Sequence, residues 1–234
     1  MLPRRNENKD TAVKGKLTKK RIAAYLIGLL LLALGIGASV RSNLGCSPVA
    51  SVPYMISLLT GIDMGIATIL WQSFLVFLQF LILRKDFSPW ILLQLVTGFV
   101  FGYFNTFAGW IFGLFPAPQS IVMRGLFTCI GFVVGGFGVW LYSTADVINM
   151  PSEGIVMVIA KKVGQPFHRI KIGFDVSSVV IAGSFCLIFL HTLGSVGIGT
   201  VVIAIMLGTM VGIYSRAWNA RLKKLLDMNQ AENA

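Results

Sequence analysis

Six long apolar segments dominate the sequence and limit what it can fold into. A helix needs about 20 mostly apolar residues to cross the hydrocarbon core of a bilayer, and each segment is close to that length. The segments are residues 22–40, 64–83, 89–115, 121–142, 170–190 and 196–214. Because backbone in hydrocarbon must satisfy its own hydrogen bonds, we expect an all-α transmembrane protein built as a six-helix bundle.

The composition excludes an ordinary soluble domain. Charged residues make up 12% of the chain and hydrophobic residues 56%, with a mean hydropathy of +0.79, whereas soluble domains carry about 25% charged residues. The net charge of +11 does not indicate nucleic-acid binding, because eight of the twenty basic residues precede position 22 and most others flank apolar segments. Membrane lipids are the expected neighbours.

The loop charges predict an orientation. With a cytoplasmic N-terminus, eighteen of the twenty basic residues lie on the cytoplasmic side, and only Arg41 and Arg124 lie outside. Positive charge is enriched in cytoplasmic loops, so both termini are predicted to be cytoplasmic. Residues 1–19 are predicted to form a disordered basic tail, and residues 217–234 a C-terminal tail.

The two halves of the chain, residues 20–117 and 118–216, show an internal duplication. The corresponding positions are Gly35 with Gly136, Arg41 with Tyr142, Pro48 with Pro151, Gly61 with Gly164, and Gln72 with Asp175. Each half crosses the membrane three times, so the two copies must enter from opposite sides. This predicts two inverted three-helix repeats, an arrangement that many secondary transporters use.

Each half also contains an apolar segment that is too short to span, residues 48–59 and 151–162. Each segment begins with Pro at the first helical position, after Ser47 in the first half and after Asn149-Met150 in the second, which suits a helix start. They are predicted to be short helices. They could be re-entrant, with their N-termini aimed at a ligand, or interfacial, and the sequence leaves both alternatives open.

Polar residues at the helix breaks and within the spans are candidates for substrate binding. They are Arg41, Asn43, Gln72, Asn149, Glu153 and Asp175. Ionisable groups inside a membrane are energetically unfavourable and commonly functional, which makes Asp175 the strongest candidate. The duplication places it opposite Gln72, as a proton or substrate site. The alternatives are a structural hydrogen bond or an ion pair with Arg124 or Lys171.

Two smaller patterns carry structural expectations. The GxxxG pairs at 98/102 and 208/212 are typical of close helix packing, either within or between the halves. Aromatic residues near predicted helix ends fit an interfacial belt: Trp90, Trp110, Trp140, Tyr142, Tyr214 and Trp218. Catalytic and phosphate-binding motifs are absent from the sequence, as are metal-ligand spacings. We therefore expect no enzyme activity, no cofactor and no metal.

The stretch GIGASVRSNLGCSPVASVPYMIS, residues 35–57, and its continuation to Gln72 resemble the YczE/YyaS/YitT family of bacterial membrane proteins. The similarity covers about residues 20–220 and is nearest to the YczE branch. It implies an integral protein of the bacterial cytoplasmic membrane and identifies no catalytic residues.

These patterns lead to two functional hypotheses. The first is a secondary transporter or exporter of a small molecule. The second is a non-transporting accessory membrane protein that supports a membrane-associated enzyme or assembly. A homo-oligomer or a membrane-protein partner is compatible with either. The sequence determines neither a substrate nor a coupling ion.

Overall fold

Eight α-helices and two short 3-10 turns make up most of residues 18–226, the part of the chain described by the computed structural model. The helices are α1 (Lys19–Ser42), α2 (Pro48–Thr60), α3 (Met64–Leu83), α4 (Leu93–Gly113), α5 (Ile121–Ala145), α6 (Pro151–Val163), α7 (Phe167–Leu190) and α8 (Ile198–Leu225). All except α2 and α6 are long and apolar enough to cross a membrane. The predicted six-span helical bundle and its two short helices are confirmed.

The largest difference from the predicted boundaries is at the end of the last helix. The sixth span was expected to end near Tyr214, but α8 continues to Leu225, through residues 217–225 that were assigned to a tail. Leu222 and Leu226 pack against the core beside α1 and α5, which gives this extension a partner. The disordered tail predicted for residues 1–19 falls mostly outside the described residues, and Lys19 already belongs to α1.

The two ends of the bundle are defined by contacts of α1. We call the end at which α1 begins the N-face and the opposite end the far face. At the N-face, Arg21 donates hydrogen bonds to the carbonyl oxygens of Ala145 (3.0 Å) and Asp146 (2.6 Å), at the end of α5. At the far face, Arg41 donates to the carbonyl oxygen of Phe115, beyond α4.

Helices α1 and α5 cross in backbone contact through glycines. A Cβ atom added to Gly35 would lie 2.6 Å from the Cα of Gly135, and one added to Gly138 would lie 2.4 Å from the backbone nitrogen of Leu32. Small residues allow this approach, which maximises van der Waals contact where no hydrophobic effect drives helices together. The crossing joins the first half of the chain to the second.

The other helices pack around this pair. Helix α4 packs on α1 and α8 on α5, α3 packs on α4, and both α2 and α6 contact α3 and α7. Gly98 and Gly102 of α4 lie against α3, so this GxxxG pair marks packing within the first half. A Cβ atom added to Gly208 or Gly212 would have no described neighbour within 4 Å, because α8 contacts α5 through a different face that includes Met210.

Helix α6 runs from inside the bundle toward the N-face, whereas α2 begins beside the α7–α8 loop, where the Cys46 N–H donates to the carbonyl oxygen of Ser195 (3.2 Å). The carbonyl oxygen of Pro151, at the start of α6, accepts from Gln79 (3.3 Å), while Lys162 near its end donates to Ile82 (3.4 Å) at the N-face end of α3. In α2, Val52 packs with Ala182, which lies about 12 Å from the end of α7 at 1.5 Å per residue. The contacts of α6 favour the re-entrant alternative for that helix, and those of α2 leave both alternatives open.

Two of the aromatic residues assigned to an interfacial belt lie in the core instead. Trp90 and Trp110 are 60% and 63% exposed, as an interfacial position requires, but Trp140 and Tyr142 are only 4% and 5% exposed. The expectation was wrong for these two because the end of α5 is enclosed by α1, α6 and α8. Burial brings the Tyr142 hydroxyl into the bundle.

The glycine crossing predicts a sharp difference between two Gly→Ala substitutions. Gly35→Ala is expected to destabilise the protein by about 1–3 kcal/mol, as overpacking does, because its methyl group would overlap α5. Gly208→Ala, with open space around it, is expected to be neutral or stabilising by up to about 1 kcal/mol through helix propensity. Denaturant unfolding in detergent measures both, and equal stability of the two variants would contradict the crossing.

Candidate functional site

Two separate polar regions lie within the bundle, one toward each face. The far-face cavity has a volume of about 370 Å³, and its polar lining includes Arg41, Asn43, Tyr54, Asn105 and Arg124. The second region, which we call the N-face cluster, surrounds the start of α6 and α7. Its members are Tyr25, Tyr142, Glu153, Lys171 and Asp175.

Glu153 is the centre of the N-face cluster. It lies in the first turn of α6, whose start is fixed by Pro151 at the first helical position. Its carboxylate accepts a hydrogen bond from the hydroxyl of Tyr142 on α5. Tyr25 of α1 packs edge-on against Tyr142, with ring centroids 6.2 Å apart. Three helices therefore enclose this carboxyl group.

The environment changes the pKa of Glu153, which lies outside the six spanning helices. Burial raises the pKa of its carboxyl group above the usual value of 4.5, and the negative charge of Asp175 acts in the same direction. The hydrogen bond from Tyr142 and the positive charge of Lys171 oppose this shift without cancelling it. Glu153 can therefore hold a proton at a higher pH than an exposed glutamate can.

Asp175 has a local partner on its own helix. Lys171, one turn earlier in α7, donates to both carboxylate oxygens, with the Nζ–Oδ2 distance at 2.6 Å. The two side chains are 25% and 26% exposed. Of the alternatives open from the sequence, the ion pair with Lys171 is the one present, and Gln72 makes no hydrogen bond to Asp175.

Gln72 is buried near the start of α6 without a partner for its carbonyl oxygen. It is 2% exposed, and Oε1 accepts no hydrogen bond from the described residues. A Cβ atom added to Gly98 of α4 would lie 3.0 Å from the Cβ of Gln72 and 3.8 Å from the Cγ of Pro151. An unsatisfied acceptor at this depth is unfavourable by about 1–3 kcal/mol.

A pair of glutamines that the sequence analysis did not single out fixes the start of α6. Gln79 Nε2 donates to Gln94 Oε1 (2.9 Å) and also to the carbonyl oxygen of Pro151 (3.3 Å). A Cβ atom added to Gly154 would lie 2.6 Å from Gln94 Oε1, so a larger residue there would displace the glutamine pair. The signal in the sequence was the presence of glutamines within both apolar helices flanking the α3–α4 loop, Gln79 near the end of α3 and Gln94 near the start of α4.

At the far face, one loop holds both arginines of the cavity. Arg41 donates to the carbonyl oxygen of Phe115, and Arg124 Nε donates to that of Pro118 (3.2 Å). Asn43 ends α1 in the left-handed conformation, with φ of 54°. Asp63 caps α3 through Oδ1 and forms no ion pair with Arg124.

The six candidate residues thus fall into two groups. Arg41 and Asn43 lie at the far-face cavity, while Gln72, Glu153 and Asp175 lie near the start of α6 and α7. Asn149 precedes α6, and its amide lies 3.9 Å from the sulfur of Met157. The structure does not gather the two groups into one central site.

Comparison with known proteins places the chain in a family. Residues 19–216 match the family described as "Family of unknown function (DUF6198)". The chain belongs to the DUF6198 family. This DUF6198 member is 30% identical over 195 residues to an "Uncharacterized protein" of Haemophilus influenzae, covering 83% of each chain. No solved structure matches it.

Two Bacillus subtilis proteins confirm the resemblance that the Gly35–Gln72 stretch indicated. The DUF6198 chain is 27% identical over 195 residues to "Uncharacterized protein YyaS", covering 81% of this chain and 90% of the relative. It is 25% identical over 188 residues to "Uncharacterized membrane protein YczE", covering 80% and 81%. Together with the six long apolar helices, these matches support a multi-pass membrane protein.

The raised pKa of Glu153 predicts a specific dependence of stability on pH. A carboxyl group with a raised folded-state pKa contributes stability that is complete below the unfolded value and is lost as pH rises through the folded value. We expect the melting temperature in detergent to fall over that window in the wild type, and Glu153→Gln to remove this part of the fall. Asp86→Asn, which removes an exposed carboxylate, is the control and should keep it. An unchanged pH profile in Glu153→Gln would contradict the assignment.

Proposed function

We propose that the protein is a secondary transporter or exporter that moves a small molecule between the two faces of a bacterial cell membrane. The observation that carries the proposal is the placement of polar groups at both helix breaks. Arg41 lines a cavity at one face, and Tyr142, at the corresponding position of the second half, bonds Glu153 toward the other. Inverted repeats place corresponding helix breaks toward opposite faces, as in many secondary transporters.

The proposal includes two inverted repeats, α1–α4 and α5–α8. The short helices α2 and α6 both contain 13 residues. The helices before them end on left-handed residues, Asn43 (φ 54°) and Asp146 (φ 46°), and the short helices themselves end on Gly61 (φ 74°) and Gly164 (φ 68°). Such agreement in conformation supports a duplication that the sequence alone indicated only through scattered residues.

Helix packing gives a second support for the repeats. If the two halves are exchanged, the contact of α1 with α4 corresponds to that of α5 with α8. In the same way, α2 with α7 corresponds to α6 with α3, and α2 with α3 corresponds to α6 with α7. All of these pairs of helices are in contact. The α3–α4 contact is the main exception, since α7 and α8 do not pack extensively on each other within residues 18–226, and the smaller α4–α6 contact has no comparable α8–α2 counterpart there. Two halves that differ in this way can exchange their packing, which is one route to alternating access.

We further propose that the N-face is cytoplasmic. In the described part of the chain, the N-face carries Arg84, Lys85, Lys161, Lys162 and Arg169, whereas the far face carries Arg41 and Arg124. The excess of positive charge in cytoplasmic loops supports this orientation, which would open the far-face cavity to the outside.

The orientation can be tested with single cysteines. In a variant lacking Cys46, Cys129 and Cys186, Gln119→Cys at the far face should react with a membrane-impermeant maleimide in intact cells. Lys85→Cys at the N-face should react only after the membrane is permeabilised. Both positions are exposed. The reverse labelling pattern would overturn the orientation.

Transport itself predicts loss of coupled flux when the N-face carboxyl groups are neutralised. Proteoliposomes loaded with a pH indicator are challenged with small carboxylates, amino acids, sugars and amines. We expect a pH change with one of these classes, and we expect Glu153→Gln and Asp175→Asn to lose most of it, because each removes one of the two carboxyl groups of the N-face cluster. Asp86→Asn is the matched control and should transport normally.

Two other outcomes would reject parts of this proposal. Normal flux in both Glu153→Gln and Asp175→Asn would exclude a coupling role for these carboxyl groups. An absence of flux with every class, together with a membrane enzyme that copurifies with the wild type, would favour the accessory-protein hypothesis.

A further inference from the structure

The far-face cavity has an unbalanced positive charge. Arg41 and Arg124 both line it, and its lining contains no aspartate or glutamate. Among residues 18–226 neither guanidinium forms an ion pair. Asp63, which directly precedes the lining residue Met64, is exposed, and its Oδ1 accepts from the backbone N–H groups of Gly65 (2.8 Å) and Ile66 and from Thr106.

The loop between α4 and α5 orients the two arginines but leaves most of their donors free. Each guanidinium has five N–H donors, and each makes one hydrogen bond to this loop, to the carbonyl of Phe115 or Pro118. Arg41 Nε is buried and has no acceptor among the described residues. A buried donor attached to a charged group is unfavourable unless something accepts from it.

The cavity also contains an unused acceptor. Asn105 of α4 is 3% exposed, and its Nδ2 donates to the carbonyl of Phe101 in the preceding turn (2.9 Å). This leaves Oδ1 buried and without a donor in the described part of the chain. The lining therefore offers several charged donors together with one neutral acceptor.

We propose that this cavity binds a small organic anion, whose carboxylate or phosphate group lies between Arg41 and Arg124 and whose hydroxyl or amine group donates to Asn105. Guanidinium groups match the paired oxygens of carboxylates and phosphates. The volume of about 370 Å³ is in the range of small-molecule sites, roughly 300–1,000 Å³. Anion binding by the cavity does not depend on the proposed function. The further statement that this anion is the transported substrate rests on it.

The binding test uses purified full-length protein in neutral detergent at constant ionic strength. L-Malate and glycerol 3-phosphate are the carboxylate and phosphate probes, and glycerol and choline are the neutral and cationic ones. A ligand that binds the folded state raises the melting temperature in a saturable way. We expect this from at least one anionic probe and from neither glycerol nor choline. Succinate, which lacks the hydroxyl group of malate, should bind more weakly than malate.

Variants locate the binding in the cavity. Arg41→Gln and Arg124→Gln should each weaken anion binding by about tenfold or more, the effect of losing a charge-assisted hydrogen bond. Arg169→Gln is the control, since it removes an exposed arginine at the other face, and should stay within about twofold by the same arithmetic. Asn105→Asp keeps the side-chain size but adds a negative charge, so it should abolish anion binding. It therefore tests the cavity independently if an arginine variant does not fold.

Four results would overturn the inference: no stabilisation by either anion, equal stabilisation by choline, unchanged binding in the Arg41, Arg124 and Asn105 variants, or stabilisation by phosphatidylglycerol micelles alone. The last result would identify a lipid headgroup as the source of the anionic group. Anion binding without flux in proteoliposomes would uphold the cavity and reject transport. Flux of a neutral or cationic molecule without anion binding would uphold transport and reject the anion site.

Discussion

The crossing of α1 and α5 is the contact on which the rest of the structure depends. Gly28, Gly35 and Gly138 bring the two backbones together, and a Cβ atom at Gly28 would lie only 2.5 Å from the backbone nitrogen of Tyr142. The crossing therefore holds Tyr142 beside the start of α1, where its hydroxyl reaches Glu153. The same helix α1 carries Arg41 at its other end. One rigid pair of helices thus sets the positions of both polar regions.

The N-face cluster shows how a carboxyl group is accommodated inside such a bundle. The first turn of α6 offers Glu153 a favourable helix dipole, an effect of about 0.3–1 kcal/mol at exposed sites. Lys171 and Tyr142 favour the charged form further, yet burial outweighs them and the net shift in pKa is upward. A group poised between these opposing effects changes its protonation when its surroundings change slightly.

Much of the fold follows from hydropathy, but the partners of individual polar groups do not. Met64–Leu83 was predicted at its observed bounds because Asp63 and Arg84 flank an uninterrupted apolar run. The partner of Asp175 was not determined, because the duplication favoured Gln72 while Lys171, one turn away on the same helix, was equally accessible. Local i,i+4 geometry prevails because it needs no particular tertiary arrangement.

The glycines show the same limit more clearly. Gly98 and Gly208 stand in identical GxxxG patterns, yet one packs against α3 and the other faces open space. The GxxxG pattern indicates that another helix can approach closely. Whether a helix does lie there depends on how many helices surround that position. Helix α4 lies between α1 and α3, whereas α8 packs mainly on α5. Tyr142 was misassigned for a related reason, since an aromatic near a helix end is interfacial only if no other helix encloses it.

The two polar regions occupy corresponding places in the two halves but differ in chemistry. Arg41 corresponds to Tyr142, and at the offset that relates Pro48 to Pro151, Ala50 corresponds to Glu153. The far face therefore offers cationic donors where the N-face offers a carboxyl group and a phenol. Exchanging the packing of the halves would not recreate the same site on the other side. Under the proposed function, an anion that moved from the arginines to the N-face cluster would be repelled by an ionised Glu153 and tolerated by a protonated one.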